Sequence, residues 1–124
     1  MREILFRGKE KGSGGAWVFG DLFHSKKPDL VFISNYDNDD YKEYNVIPET
    51  VGQYTGLEDR HGAKIIEGDI VEYKDEYGQI TYHESEAMFM IEFDTWLTDF
   101  DHITNNDIEK VGNIHDDPEL LEGA

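Results

Sequence analysis

Cysteine is absent from this 124-residue chain. That removes disulfides, thiolate metal ligands and cysteine nucleophiles at once, and it fits a reducing cytoplasm. Any metal would have to sit on histidine, carboxylate or carbonyl groups. Positive charge is scarce: 11 Lys and Arg stand against 28 Asp and Glu, for a formal net charge of −17. A field of that sign repels phosphate backbones, so the body of the protein is not expected to bind nucleic acid directly. Long apolar runs are missing as well. The start, MREILFRGKE, holds only a short apolar core around Ile4, Leu5 and Phe6, too short for a signal peptide. Nothing later approaches the roughly 18 apolar residues of a membrane span. The expectation is a soluble protein, with no membrane partner, that stays in the cytoplasm. A 3.6-residue apolar period never lasts beyond a turn or two, which argues against a helical fold.

What is present is glycine and β-forming residues. The reading along the chain is a short strand at 3–7, a flexible turn at 11–16, strands at 17–23 and 29–34, and a bulge or bend at Gly20. Residues 35–44 (NYDNDDYKEY) read as a polar, acidic loop leading into a strand that Pro48 ends. Turns are expected at 58–62, where Gly62 can take a positive φ, and at Glu67-Gly68-Asp69. DEYG (75–78) reads as a hairpin loop with Gly78 in its last position. AMFMIEF (87–93) is the strongest apolar strand, IEKVGNI (108–114) the last one, and DDPELLEG (116–123) a single helical turn started by Pro118. Strands at 8 to 12 residue spacing joined by short turns predict a mainly β fold, a small barrel or sandwich. The chain is long enough for one domain or two small joined ones, and the acidic segment 35–40 is the best internal boundary.

Charge is unevenly placed. Residues 1–36 carry six basic groups against four acids, whereas 37–124 carry five against 24. This leaves room for basic protein partners, for divalent cations, and for docking of one subunit's N-terminal segment on the acidic body of another.

The stretch ETVGQYTGLEDRHGAKIIEGDIV (49–71) packs Gly52, Gly56, Gly62 and Gly68 together and first suggests a phosphate loop. The glycines are spaced by three, five and five residues with no Lys-Ser or Lys-Thr after them and no helix to aim at an anion, so no nucleotide cofactor is expected. The acidic runs from Asp37 and from Asp99 fail the calcium-loop spacing, with Tyr41 and Ile103 at the fifth ligand place. Loose cation binding by Asp37, Asp39 and Asp40, or by Asp99, Asp101 and Asp107, is the remaining metal reading, and solvated acidic loops the simpler one. The five histidines share no ligand spacing, and no G-x-S-x-G elbow marks a hydrolase, so no catalytic residue, metal site or cofactor is assigned.

Aromatic residues make up 13% of the chain. Phe6, Phe32, Phe89 and Phe93 are expected in the core, while the tyrosines at 36, 41, 44, 73, 77 and 82 exceed what a small core needs. Tyrosine in acidic surroundings suits a protein interface, so Tyr36, Tyr41 and Tyr77 with Asp37, Asp39, Asp40, Asp99 and Asp101 form the expected partner surface.

REILFRGK, then WVFGDL, then VIPETVGQYTGLEDRHGAKIIEGDIV, and finally VGNIHDDPELLE resemble, in that order and spacing, the YopX family of phage and prophage proteins. The chain departs from the pattern at Ile66, where an aromatic residue is usual, and in the acid-rich segment 75–107. The resemblance implies a small, mostly β protein encoded by a phage or resident prophage, with an SH3-like barrel in its latter part. It implies no activity. The expected layout is an N-terminal β-hairpin subdomain over 1–48 and an SH3-like barrel with a short C-terminal helical turn over 49–124. In that barrel Gly52, Gly56, Gly62, Gly68 and Asp69 are structural turn residues: Gly68 takes the tight backbone, Asp69 bonds backbone N–H groups across the turn, and Gly52 and Gly56 make room for a crossing strand. The expected function is a non-enzymatic accessory protein that binds a protein, itself as a homo-oligomer or a basic host protein. The alternative is an acidic DNA mimic that blocks a host nuclease or repressor.

Overall fold

The computed structural model describes residues 3–12, 14–27 and 30–122. Ser13 of the expected N-terminal turn, Asp29 of the expected third strand and Gly123 of the expected helical turn lie outside the described residues. The chain forms two compact units, residues 1–54 and 55–124, and its strands make two antiparallel sheets.

In the first unit, β1 (Phe6–Lys9), β2 (Trp17–His24), β3 (Val31–Asp37) and β4 (Asp40–Val46) form a meander, followed by a 3-10 turn at Pro48–Thr50 and the start of β5 (Gly52–Glu58). β2 pairs with β1 through Trp17 to Gly20 and with β3 through Asp21 to His24. At that hand-over a Cβ on Gly20 would run into the backbone carbonyl of Ser34. Close approach, and not a bulge, is why glycine stands there. A single bridge, Glu10 to Val46, ties the end of β1 to the end of β4, with Ile47 N–H donating to Lys9 O at 2.8 Å. The sheet therefore curls around a small core of Val31, Ile33 and Val46, against which Phe6, Val18, Leu22, Tyr44 and Val51 pack.

The acidic segment 35–40 is not a loop. β3 runs to Asp37, β4 starts at Asp40, and only Asn38 and Asp39 form the turn, with φ of 52° and 71°. Positive φ at both loop positions is what a two-residue hairpin of type I′ demands, and Asn and Asp tolerate it. Composition hides the strand: its acids and tyrosines sit on an exposed ribbon, where polarity says little about backbone.

The second unit completes β5, which pairs with β6 (Lys64–Ile66). A five-stranded sheet follows, in the order β10-β9-β8-β7-β11, from β7 (Asp69–Tyr73), β8 (Glu76–His83), β9 (Met88–Glu92), β10 (Leu97–Thr98) and β11 (Glu109–Asn113). The chain ends in one helical turn, α1 (Glu119–Glu122). Among the described residues the edge strands β10 and β11 are not paired to each other, so this sheet does not close on itself.

Its core is aliphatic: Ile65, Val71, Ile80, Ile91, Ile103 and Ile108 surround Phe93. Of the four phenylalanines expected inside, only Phe93 is fully buried; Phe6, Phe32 and Phe89 are half-buried. Each fully buried isoleucine contributes roughly 1.5–3 kcal/mol. Gly78 also differs from expectation. It lies inside β8, and the hairpin loop is Lys74-Asp75, with φ of 49° and 67°. A Cβ on Gly78 would stand 2.8 Å from Ile91 Cγ2 and 3.0 Å from the Phe93 ring, so the glycine makes room for the core.

Candidate functional site

The glycine-rich stretch 49–71 is scaffold. Gly56, Gly62 and Gly68 take φ of 92°, 84° and 94°, so left-handed backbone fixes their identity. Gly52 and Gly56 are not in turns: Gly56 lies inside β5, and Gly52 is its buried first residue, extended and opposite Arg7. Asp69, fully buried, accepts the Ile66 N–H at 2.7 Å across the tight turn, as its position at the start of β7 implies. It also pairs with Lys110 Nζ at 3.2 Å, a contact from β11 that sequence spacing does not reveal.

Asp59 does similar work at the next turn. Its carboxylate accepts N–H groups from His61 (2.8 Å), Ala63 (2.9 Å) and Lys110 (2.8 Å). Burial pushes its pKa up, but these backbone donors together outweigh burial and hold it below the usual carboxylate value.

The expected partner-surface residues fall in three places. Tyr36, Asp37, Asp39, Asp40 and Tyr41 gather at the β3–β4 tip. Tyr36 and Tyr41 face each other across the ladder, edge to face, with ring centroids 5.4 Å apart. They are 74% and 52% exposed. Lys42 Nζ bonds Asp37 at 3.2 Å, and this bond raises the lysine pKa.

Tyr77 stands apart, in a groove of about 390 Å³ shared with Asp75, Glu76, Asp94 and Leu121. Asp99 and Asp101 rim a smaller pocket of about 180 Å³ floored by Leu57, Phe89 and Phe100. Of the other surplus tyrosines, Tyr82 is exposed and stacked edge to face on Phe89. Tyr44 and Tyr73 pack against the two cores.

The Asp99 carboxylate accepts His102 Nδ1 at 2.7 Å and the N–H groups of His102 and Asp101 at 3.0 and 3.1 Å. The His102 bond is the main cause that lowers the Asp99 pKa and raises that of His102. Asp107 is engaged in a capping box with Thr104. Asp99 and Asp107 thus spend oxygens on the loop's own backbone, and among the described residues no group of three or more His, Asp or Glu is placed to hold a metal ion.

Sequence reasoning missed the groove acids Asp75, Glu76 and Asp94. The signal available was DEY at 75–77, read there as loop composition.

These features define a mainly β chain of two antiparallel sheets, with acidic, tyrosine-bearing ribbons outside two aliphatic cores. The chain belongs to the YopX protein family, which it matches over residues 6–122. Its fold is similar to that of protein EF1440 from Enterococcus faecalis, known from a crystal structure: TM-score 0.64 at 20% identity, covering 98% of this chain and 99% of that one. No curated protein matches. Among the described residues, no helix is long and apolar enough to cross a membrane.

Proposed function

We propose that this is a phage- or prophage-encoded accessory protein of the bacterial cytoplasm, which works by binding another protein and not by catalysis. Its partner is a second copy of itself or a basic host protein. The observation that carries this reading is the β3–β4 tip: Tyr36 and Tyr41, edge to face and mostly exposed, on a two-residue turn with Asp37, Asp39 and Asp40 around them. Two rigid tyrosines offer amphipathic contact area at small entropic cost, and the acids favour a cationic counterpart. The SH3-like reading of residues 49–124 belongs to the same proposal, supported by the order β11-β7-β8-β9-β10 and the 3-10 turn at Asn105–Asp107 that precedes β11.

Affinity capture from bacterial lysate tests it, at low and high salt, with the intact protein and with Tyr36→Ser/Tyr41→Ser. A partner, or self-association seen by light scattering, that depends on the tyrosines and weakens with salt is the expected result. Identical capture by the variant would remove the hairpin from the interface.

The DNA-mimic reading is favoured by one observation: residues 55–124 hold 19 acids against four basic groups, a balance of −15. It requires the protein to release a DNA-binding partner from DNA in a gel-shift competition, and no release ends it.

A further inference from the structure

The groove beside Tyr77 is concave, acidic and partly apolar, and each property narrows what fits it. Its volume of about 390 Å³ falls in the range of small ligand sites, roughly 300–1,000 Å³. Asp75 comes from the β7–β8 turn, Glu76 and Tyr77 from the start of β8, Asp94 from the β9–β10 connection, and Leu121 from α1. A neighbouring depression shares Tyr77, Asp94 and Leu121 and adds Glu92.

Among the described residues none of these four carboxylates is in an ion pair. Lys74, the cation next to them in the chain, lies over the Tyr73 ring at 5.3 Å. Glu76 is oriented by Trp96 Nε1, which donates to its Oε1 at 3.1 Å, and Trp96 is itself stacked on Phe93 at 4.5 Å. The groove thus has one oriented carboxylate, Glu76, and three more around it with no ion-pair partner among the described residues, beside Tyr77 and Leu121, which are 42% and 37% exposed.

A bare divalent ion needs converging oxygens, which the described residues do not offer, and would leave the apolar wall unused. A guanidinium uses both: its planar fork takes carboxylates, and its face and stem lie on an aromatic ring.

We propose that this groove takes an arginine side chain and the apolar residue beside it, presented by a segment of a basic partner protein. The inference rests on the reading of the chain as a protein-binding module, but uses residues of the second unit and none of those at the β3–β4 tip. Among the described residues a second copy is the poorer donor, since Arg7 is 3% exposed and Arg60 is bonded to Glu109 at 3.1 Å.

The test is a titration of the full-length, isotope-labelled protein, followed by backbone amide NMR. The probe is an N-acetylated, C-amidated Ala-Arg-Leu-Arg-Ala peptide, with the citrulline peptide as its uncharged isostere. Saturable shifts at Tyr77, Thr95 and Leu121 are expected, weakened about tenfold for the citrulline peptide and about tenfold in Glu76→Gln/Asp94→Asn. The amide oxygen introduced by Glu76→Gln would still accept the Trp96 bond, and an unchanged spectrum elsewhere shows that the variant is folded.

Equal binding of the two peptides, unchanged binding by the variant, shifts spread over the acidic surface, or no saturation would each overturn the inference. Tyr36→Ser/Tyr41→Ser should leave the titration as it is. Capture that depends on the hairpin can therefore survive failure of the groove, and the groove can survive failure of the hairpin.

Discussion

Asp69 brings a carboxylate into a fully buried position, where Ile66 N–H and Lys110 Nζ both depend on it. Asp69→Ala should cost about 3–5 kcal/mol in urea unfolding, because Lys110 loses its countercharge. Asp69→Asn, which keeps an acceptor, should cost about 1–3 kcal/mol. Gly78→Ala forces a methyl between Ile91 and Phe93, both buried and unable to give way, and should destabilise by about 1–3 kcal/mol.

The Asp99–His102 pair makes a pH prediction of definite sign. The raised His102 pKa gives stability that is full below the ordinary value of 6.5 and is lost as pH rises through the folded value. The lowered Asp99 pKa gives stability present above 3.8 and lost as pH falls through the folded value. The pair thus acts between those limits. NMR titration should find His102 titrating above 6.5, and Asp99→Asn should bring it back toward that value.

At the scale of elements, two turns carry the hairpins that present the candidate surfaces: Asn38-Asp39 between β3 and β4, and Lys74-Asp75 between β7 and β8. All four residues have positive φ, which costs a side-chain-bearing residue more than it costs glycine. Asp39→Gly converts the first turn to Asn-Gly, the sequence best suited to this backbone; relief of the left-handed conformation outweighs glycine's extra chain entropy, and the protein should gain up to about 1 kcal/mol in denaturant unfolding. If it destabilises, the Asp39 side chain has a role that the hairpin geometry does not account for.

Element positions are largely legible in the sequence. Trp17–His24, Met88–Glu92, Glu109–Asn113 and the final helical turn fall where β-branched and aromatic runs, or Pro118, put them. The strands at 29–34 and before Pro48 are legible too, but their continuation through 35–40 is not, because alternation of Tyr with Asp and Glu on an exposed ribbon has no apolar period. Gly78 reads as a loop residue because glycine serves both tight turns and crowded cores, and only the neighbours distinguish the two.

For the whole molecule, the dominant quantity is the net charge of −17, most of it beyond residue 54. Self-repulsion of that size opposes the compact state and is screened by salt. Raising ionic strength from about 0.01 to about 1 M shortens the screening length from roughly 30 to 3 Å, so Tm should rise over that range. Light scattering over the same series separates this effect from association. Screening of self-repulsion leaves the mass unchanged, whereas loss of docking between cationic and acidic segments shifts it toward monomer.

The sequence by itself determined the family, the mainly β class and the acidic balance, because these follow from residue type, order and local backbone preference. It also marked Gly62 and Gly68, since their φ values are set within a few residues of chain. Tertiary structure decided what depends on distant partners. The second unit's sheet is open, since closure is a matter of which edges meet. Asp69 answers to Lys110, 41 positions away, and Gly78 answers to Ile91 and Phe93. Tyr77 shares a groove with Asp94 and Leu121 because pairing of β8 with β9 and the return of α1 bring three separate segments together, a juxtaposition that no local pattern encodes.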